Sequence, residues 1–469
     1  MRWGKYWLFV ALPLVTAIVS TPQASFAGML IAKAENEGSI SKDTIGSLPV
    51  AAVAATAPSE PEKSDPPATN SNLQALMDKV QKLELENQKL KEDLTAVKDD
   101  IVELRKRPEA AAGTGQTGDK PPLVALTGAS IEMYGYIKTD MIYGTRQIGE
   151  LTMSAPVLTN NEPQFIVTAK ETRFGFNILG PKLGEDGKTV GKIEADFWGN
   201  TTDASSTPAL RLRQAYVDLK FPKWDFLAGQ TWDFFAPYNP STLNLAILWR
   251  AGNIGDRHPQ VRWSATTEAL GGKLTQQLGI VDSRMTEQWN AGVPLGASYT
   301  SLETKIFEKD LTLGVGGIGG ESCISTTTRD TRRILAGIFT AKLKWSDKIS
   351  FMGEAFKGEN LAAFRAGSPV GIDHTKAVRS QGGWGQITLK PIKRLQFNTG
   401  AGIDDVTTDS VTTGTNAVWQ DNFSYFFNTK YELVKDLLVG LEFQHFQTRY
   451  AEQDDMRANR IQSSIIYNF

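Results

Sequence analysis

The 469-residue sequence predicts an all-β transmembrane barrel of about 16 antiparallel strands, preceded by an N-terminal α-helical parallel coiled coil. Three observations carry that reading: an alternating strand that ends the chain on an aromatic residue, an export signal at the other end, and amphipathic segments joined by connections of two alternating lengths.

The chain ends Arg460-Ile461-Gln462-Ser463-Ser464-Ile465-Ile466-Tyr467-Asn468-Phe469. Ile461, Ile465, Tyr467 and Phe469 share one face, and Arg460, Gln462, Ser464 and Asn468 crowd the other, apart from Ile466. Such a strand suits a wide barrel, whose closure pairs every backbone N–H and C=O with lipid outside and water inside. It resembles the C-terminal signal by which bacterial outer-membrane proteins are recognised for insertion. The competing reading is the last strand of a soluble sandwich.

Residues 1–27 read as a signal peptide: Arg2 and Lys5, an apolar run from Tyr6 to Val19 broken by Pro13, then Ser25-Phe26-Ala27 with small residues where cleavage needs them. The run falls short of the roughly 20 apolar residues of a spanning helix, and no other segment approaches that length. Composition agrees with a β-rich exported chain: 42 Gly, 22 Phe, 11 Tyr and 11 Trp stand beside a mean hydropathy of -0.26, so apolar residues are dispersed in alternation. The single Cys323 excludes an intramolecular disulfide, and no lipid-anchor cysteine follows the signal. A net charge of -2 argues against nucleic acid as a partner.

Residues 28–70, rich in Ala, Ser, Pro and Glu, read as a disordered periplasmic tether. Residues 71–107 read as a coiled-coil oligomerisation segment. Leu73, Val80, Asn87, Leu94 and Ile101 form one seam row, and Leu76, Leu83, Leu90, Val97 and Leu104 the other. In a parallel coil the flanking positions pair Lys79 with Glu84, Glu86 with Lys91, Asp93 with Lys98 and Asp100 with Arg105, all opposite in sign. A rod about 48 Å long follows at 1.5 Å per residue. Asn87 in the seam fixes register and leaves two or three strands open. Pro108 ends the helix, and residues 108–130 are the linker.

Residues 131–469 carry the barrel. Short turns are expected near Lys182 to Gly187, Pro222-Lys223, Leu270 to Gly272, Glu308 to Asp310, Ser346 to Lys348, Pro391 to Lys393 and Lys435-Asp436. Longer connections are expected at Gly144 to Glu162, Asn200 to Thr207, Asp233 to His258, Asp282 to Ala297, Gly320 to Arg329, Glu359 to Ser380, Asp404 to Val418 and Ala451 to Arg457. Fifteen connections imply sixteen strands, and the even count puts both barrel ends, with the coil, on the periplasmic side.

A barrel of this size encloses an aqueous channel, and function rests on what narrows and charges it. The third long connection contains Phe234, Phe235, Pro237, Tyr238, Pro240, Leu243, Leu245, Ile247, Leu248 and Trp249, too apolar to extend into water. It is expected to fold into the pore, with Arg250 and Asp256-Arg257-His258 near the narrowest point; packing at a subunit interface is the bland alternative. Strand parity turns Arg173 inward where Phe174 and Phe176 face out, sets Arg211 and Arg213 against outward Leu212 and Tyr216, and places Arg262 between outward Val261 and Trp263. With Arg250 and Arg257 these form a candidate basic ladder for small anions, because a guanidinium fork binds carboxylates bidentately. The acidic pair Glu194 and Asp196 on the next strand, accompanied by Lys192, opposes it, and ordinary wall ion pairs are the plainer reading of some arginines. His258, His374 and His445 are widely separated, and no nucleophile elbow, HExxH or metal-ligand cysteine cluster is present, so no enzyme, cofactor or metal is expected.

Six short motifs occur in order: Tyr134-Gly135-Tyr136-Ile137-Lys138, Thr172-Arg173-Phe174-Gly175-Phe176, Lys192-Ile193-Glu194-Ala195-Asp196-Phe197, Arg211-Leu212-Arg213-Gln214-Ala215-Tyr216, Ala228-Gly229-Gln230-Thr231-Trp232 and Arg257-His258-Pro259-Gln260-Val261-Arg262. On these the chain resembles the DcaP-like trimeric porin family. The resemblance implies a bacterial outer-membrane homotrimer, held through coil and barrel, that passes small anionic solutes such as dicarboxylates through an arginine-lined constriction. Arg173, Arg211, Arg213 and Arg262 stand at matching motif positions, whereas Arg250 and Arg257 lie in or beside the loop. The competing functions are a structural tether whose arm contacts periplasmic or cell-wall partners, and a nonselective or cation-selective pore.

Overall fold

The computed structural model describes residues 88, 124–126, 129–150, 153–158, 162–199, 208–282, 292–323, 331–367, 377–407, 419–450 and 454–469. The chain divides into two units, residues 1–114 and 115–469. Of the first only Gln88 is described, and it is helical. The expected signal peptide, tether and coil otherwise lie outside the described residues, as does most of the linker, of which Val124–Leu126 pairs with the strand that follows.

Sixteen antiparallel strands form one closed barrel. They are β1 Ala129–Gly144, β2 in two segments Gln164–Thr168 and Arg173–Leu183, β3 Gly187–Asp196, β4 Arg211–Lys220, β5 Trp224–Trp232, β6 Arg257–Ala269, β7 Gly272–Val281 and β8 Leu295–Ile306. The remainder are β9 Lys309–Cys323, β10 Thr331–Lys344, β11 Ile349–Glu359, β12 Arg379–Ile392, β13 Leu395–Val406, β14 Trp419–Val434, β15 Leu437–Tyr450 and β16 Met456–Asn468. Each pairs with its sequence neighbours, and β1 pairs with β16 from Tyr136↔Asn468 to Gly144↔Arg460. Reciprocal bonds of 3.1 and 3.0 Å between Gly135 and Phe469 complete the seam, so the aromatic terminus closes the sheet. No helix among the described residues is long and apolar enough to cross a membrane; the strands are the candidate spans.

Short and long connections alternate at opposite ends, as the turn chemistry predicts. Two turns are displaced. The turn expected at Glu308 to Asp310 lies at Phe307-Glu308, both left-handed with φ of 49° and 58° despite the absence of Gly or Asn. In the other, β12 runs through Pro391 to Ile392, because a register shift between Leu389 and Ile392 absorbs the proline without a ladder bond, leaving Lys393-Arg394 as the turn.

Large apolar residues face outward along the walls, including Ile137, Val217, Leu278, Phe339, Leu441 and Ile465. One parity assignment is corrected. Glu194 stands opposite Gln214 and Ala195 opposite Leu212, so Arg213 is the extra residue of a β-bulge. Alternation is reset beyond it: Leu212 and Val217, 51% and 49% exposed, face outward, and Tyr216 joins buried Asp218 on the inner face.

Leu441 lies on the outer face of β15 between outward Val439 and Phe443, opposite Ser463 and Thr429. Leu441→Arg is expected to lower the stability of the lipid-embedded barrel by about 2–4 kcal/mol, measured by urea unfolding in lipid vesicles, as for any arginine near a bilayer midplane.

Candidate functional site

The connection between β5 and β6, residues 233–256, folds into the lumen as its apolar content predicts. Its base is tied where Asp233 N donates to Asp256 O at 2.9 Å and Asp256 N to Asp233 Oδ2 at 2.8 Å. Phe234, Phe235, Leu243, Leu245, Leu248, Trp249 and Ile254 are buried. The wall makes room with glycine. A Cβ on Gly316 would stand 2.4 Å from Phe235 O, and one on Gly402 would stand 2.2 Å from Ala251 O. Two further connections turn inward. Phe364 packs edge-on against Phe235 at 5.3 Å between centroids, and the hairpin Ile148–Glu150 with Met153–Val157 buries Ile148 and Val157 against Phe446 and Ala458.

The β2–β4 side of the lumen carries interleaved charge. The bulge brings both Arg211 and Arg213 onto Asp196: Arg211 binds it in a fork at 2.9 and 2.7 Å, and Arg213 Nη1 reaches its Oδ2 at 2.7 Å. Arg213 Nε also donates to Glu194 Oε1 at 2.8 Å, and Arg173 Nε approaches the same oxygen at 3.8 Å. The Arg213 side chain is 2% exposed, against 22% for Arg211 and 20% for Arg173. Arg213 therefore holds the acidic pair in place, and Arg173 and Arg211 present charge to the lumen. Rings support the cations: Arg173 lies 5.2 Å from the Tyr136 centroid and Lys192 4.8 Å from that of Tyr134.

A second basic group gathers at the loop. Arg257 lies 4.6 Å from the centroid of Trp232 and 5.8 Å from that of Trp249, and binds Asp256 at 3.1 Å. Arg262 lies over Phe234 at 5.9 Å. Arg365, from the connection after β11, covers the Trp249 ring at 4.8 Å and binds Asp256 Oδ2 at 2.7 Å. Burial opposes the Asp256 charge, but Arg365 and Arg257 beside it hold its carboxyl below the usual carboxylate range. Burial, together with repulsion from Arg365, pushes the Arg250 guanidinium down to about 10, against the pull of Asp404. Arg173 Nε, Arg250 Nη1, Arg257 Nη1 and Arg262 Nε are buried without a hydrogen-bond acceptor.

The six arginines singled out in the sequence thus divide. Arg173, Arg211 and Arg213 cluster around two carboxylates, and Arg250 and Arg257 gather at the loop, with Arg262 following Arg257 along β6. Sequence reasoning missed Arg365, which sits in a connection with no motif of its own and becomes visible only when that connection folds onto Asp256 and Trp249. Among the described residues no group of three or more His, Cys, Asp or Glu could hold a metal ion.

Comparison with known proteins places the chain, by family and by fold, among relatives. The family model for DcaP outer membrane protein matches residues 60–350. Among solved structures, the chain is similar to the outer membrane channel DcaP of Acinetobacter baumannii at 20% identity and a TM-score of 0.62, covering 74% of this chain and 99% of that one. At that identity the likeness concerns the fold. In-vitro folded OmpT of Vibrio cholerae aligns at 11% identity, over 75% of this chain and 100% of that one, with a TM-score of 0.48. Pseudomonas putida OprB aligns at 9%, over 72% and 94%, with a TM-score of 0.47. No curated protein matches the sequence.

Removing Arg213 leaves buried Asp196 with Arg211 alone and buried Glu194 with no guanidinium closer than Arg173 at 3.8 Å. Arg213→Ala is expected to cost about 3–5 kcal/mol in urea unfolding, and the triple variant that adds Glu194→Gln and Asp196→Asn to recover most of the loss.

Proposed function

Because the chain belongs to the DcaP outer membrane protein family, we propose that it is a channel of the bacterial outer membrane through which small anionic solutes, dicarboxylate-like in shape and charge, diffuse past an arginine-lined constriction. The observation that carries the proposal is the set of unspent guanidinium donors on Arg173, Arg250, Arg257 and Arg262, in a lumen narrowed by an apolar loop. A buried donor without an acceptor costs free energy, and a carboxylate toward which the guanidinium turns out of its resting contacts relieves it.

Binding must also be weak enough to let the solute leave. Glu194 and Asp196 supply that limit, because they already occupy Arg211 and Arg213 and repel an anion that lingers. Two carboxylates on one solute could engage Arg173 and the loop arginines in turn, each replacing the ring and carboxylate contacts that the guanidinium makes at rest. The same acidic pair supports a second reading, a nonselective or cation-selective pore, if its charge outweighs the free guanidinium groups.

The heptad repeat of residues 71–107 supports a parallel homo-oligomer, which the family resemblance makes a trimer. In this reading the coil and the barrel wall join the subunits, and the N-terminal arm lies in the periplasm, where residues 28–70 could contact cell-wall partners. A purely structural tether remains the other function class; deleting residues 28–122 separates the two, since conductance that survives while envelope integrity fails assigns tethering to the arm.

In liposomes, succinate entry is expected to exceed that of a neutral solute of equal size. Arg173→Gln with Arg262→Gln should weaken succinate block of the current by about tenfold, the factor corresponding to about 1.4 kcal/mol. Unchanged block would remove these arginines from the mechanism. Arg211→Gln is expected to move selectivity toward cations, by removing one lumenal positive charge and leaving Asp196 with Arg213 alone.

A further inference from the structure

The tip of the lumenal loop, residues 241–244, is held mainly through its backbone, with Ser241 Oγ also accepting from Gln386 Nε2 at 3.0 Å. Ser241 N donates to Gln386 Oε1 at 2.6 Å, and Ser241 O accepts from Asn428 Nδ2 at 2.9 Å. Thr242 O accepts from Lys430 Nζ at 3.4 Å. Leu243 O accepts from Lys138 Nζ at 2.6 Å and Gln462 Nε2 at 3.1 Å. Leu243 N and Asn244 N both donate to Glu442, at 2.6 Å to Oε2 and 3.2 Å to Oε1. The Leu243 side chain sits where β15 has no side chain: a Cβ on Gly440 would lie 2.7 Å from Leu243 Cδ1. The partners come from β1, β12, β14, β15 and β16, on the wall away from the loop's root at β5 and β6.

Glu442 is the hub of this seat. Besides the two loop amides it accepts from Asn428 Nδ2 at 2.9 Å and Arg460 Nη2 at 3.4 Å, and it is fully buried. Two carboxylate oxygens offer about four acceptor sites, and four donors point at them. An amide in its place would aim its own N–H groups at two of those donors.

Beyond the tip the loop is strained. Ile247, Leu248 and Arg250 have φ of 43°, 59° and 60°, a left-handed backbone that a β-branched or bulky residue adopts only under constraint. The constraint comes from both sides: Arg250 N donates to Arg365 O at 2.8 Å, and Asn422 Nδ2 donates to Arg250 O at 2.8 Å. A tip free of its seat would let that strain relax.

We infer that Glu442 is the positioning residue of the constriction: it latches the loop tip across the lumen, and by holding the strained turn behind it, it sets where Arg250 stands and so determines anion preference. This rests on the channel reading above. Glu442 acts through the loop and need not touch the solute.

The test uses the full chain, with Cys323→Ser as background, in planar bilayers with a potassium chloride gradient. Glu442→Gln is expected to replace one quiet conductance level with several noisy ones and to shift the reversal potential toward zero. Adding Leu243→Cys with Gly440→Cys and oxidising them should restore the quiet level and the reversal potential, because the disulfide seats the tip without the carboxylate. If Glu442→Gln fails to fold, Leu243→Glu, which sets a charge against the seat from the loop side, carries the same expectation. Currents equal to the background protein's, or altered currents that the disulfide leaves unchanged, overturn the latch. The latch is also read without any current: mass spectrometry should show slower disulfide formation between the two introduced cysteines when Glu442→Gln is present. Absence of conductance in the background protein sinks the channel reading, while that rate difference still supports the latch and its absence overturns it.

Discussion

A loop folded inside a closed barrel must find partners for the main-chain polar groups it carries out of water, and that constraint organises the lumen of this protein. The barrel itself has no such problem, because β1 closing on β16 leaves no free edge. The loop at residues 233–256 meets it in two ways. Its main chain lies against wall glycines that leave room for it, as at Gly316 and Gly402, while its apolar side chains are buried. Its tip hands its amides and carbonyls to Glu442, Gln386, Asn428 and Lys138. Shape and polarity are thus divided between two parts of one connection.

The division leaves the lumen asymmetric. On the β12–β16 side many polar groups bond to the loop and to one another. On the β2–β6 side carboxylates and guanidinium groups alternate with rings, and several guanidinium donors have no acceptor. Glu194 and Asp196 do not cancel the arginines so much as sort them: Arg213 is consumed structurally, whereas Arg173 and Arg211 keep part of their surface in the lumen. Aromatic faces beneath Arg173, Arg257, Arg262 and Arg365 hold those cations without neutralising them.

The barrel was legible in the sequence because its signal is periodic and local. Alternation marked the walls, and turn residues marked most of the connections, failing at Phe307-Glu308, where a left-handed turn is built without glycine, and at Pro391, where a bulge admits the proline. The inward loop was legible from its apolar content alone. What escaped was non-local. A one-residue bulge at Arg213 reversed the facing of Tyr216, and nothing in the alternation announces an extra residue. Arg365 joins the site through the fold of a different connection. Glu442 reads as one polar residue in an alternating strand, and its role exists only once a segment 199 positions away in sequence reaches it.

The central claim, that an arginine-rich lumen outweighs its own carboxylates, is tested most directly by the zero-current potential of the wild-type protein in a planar bilayer separating two potassium chloride concentrations. A potential toward the chloride equilibrium value is what this electrostatic arrangement requires. A potential toward the potassium value would mean that Glu194 and Asp196 dominate the constriction, and would contradict the account.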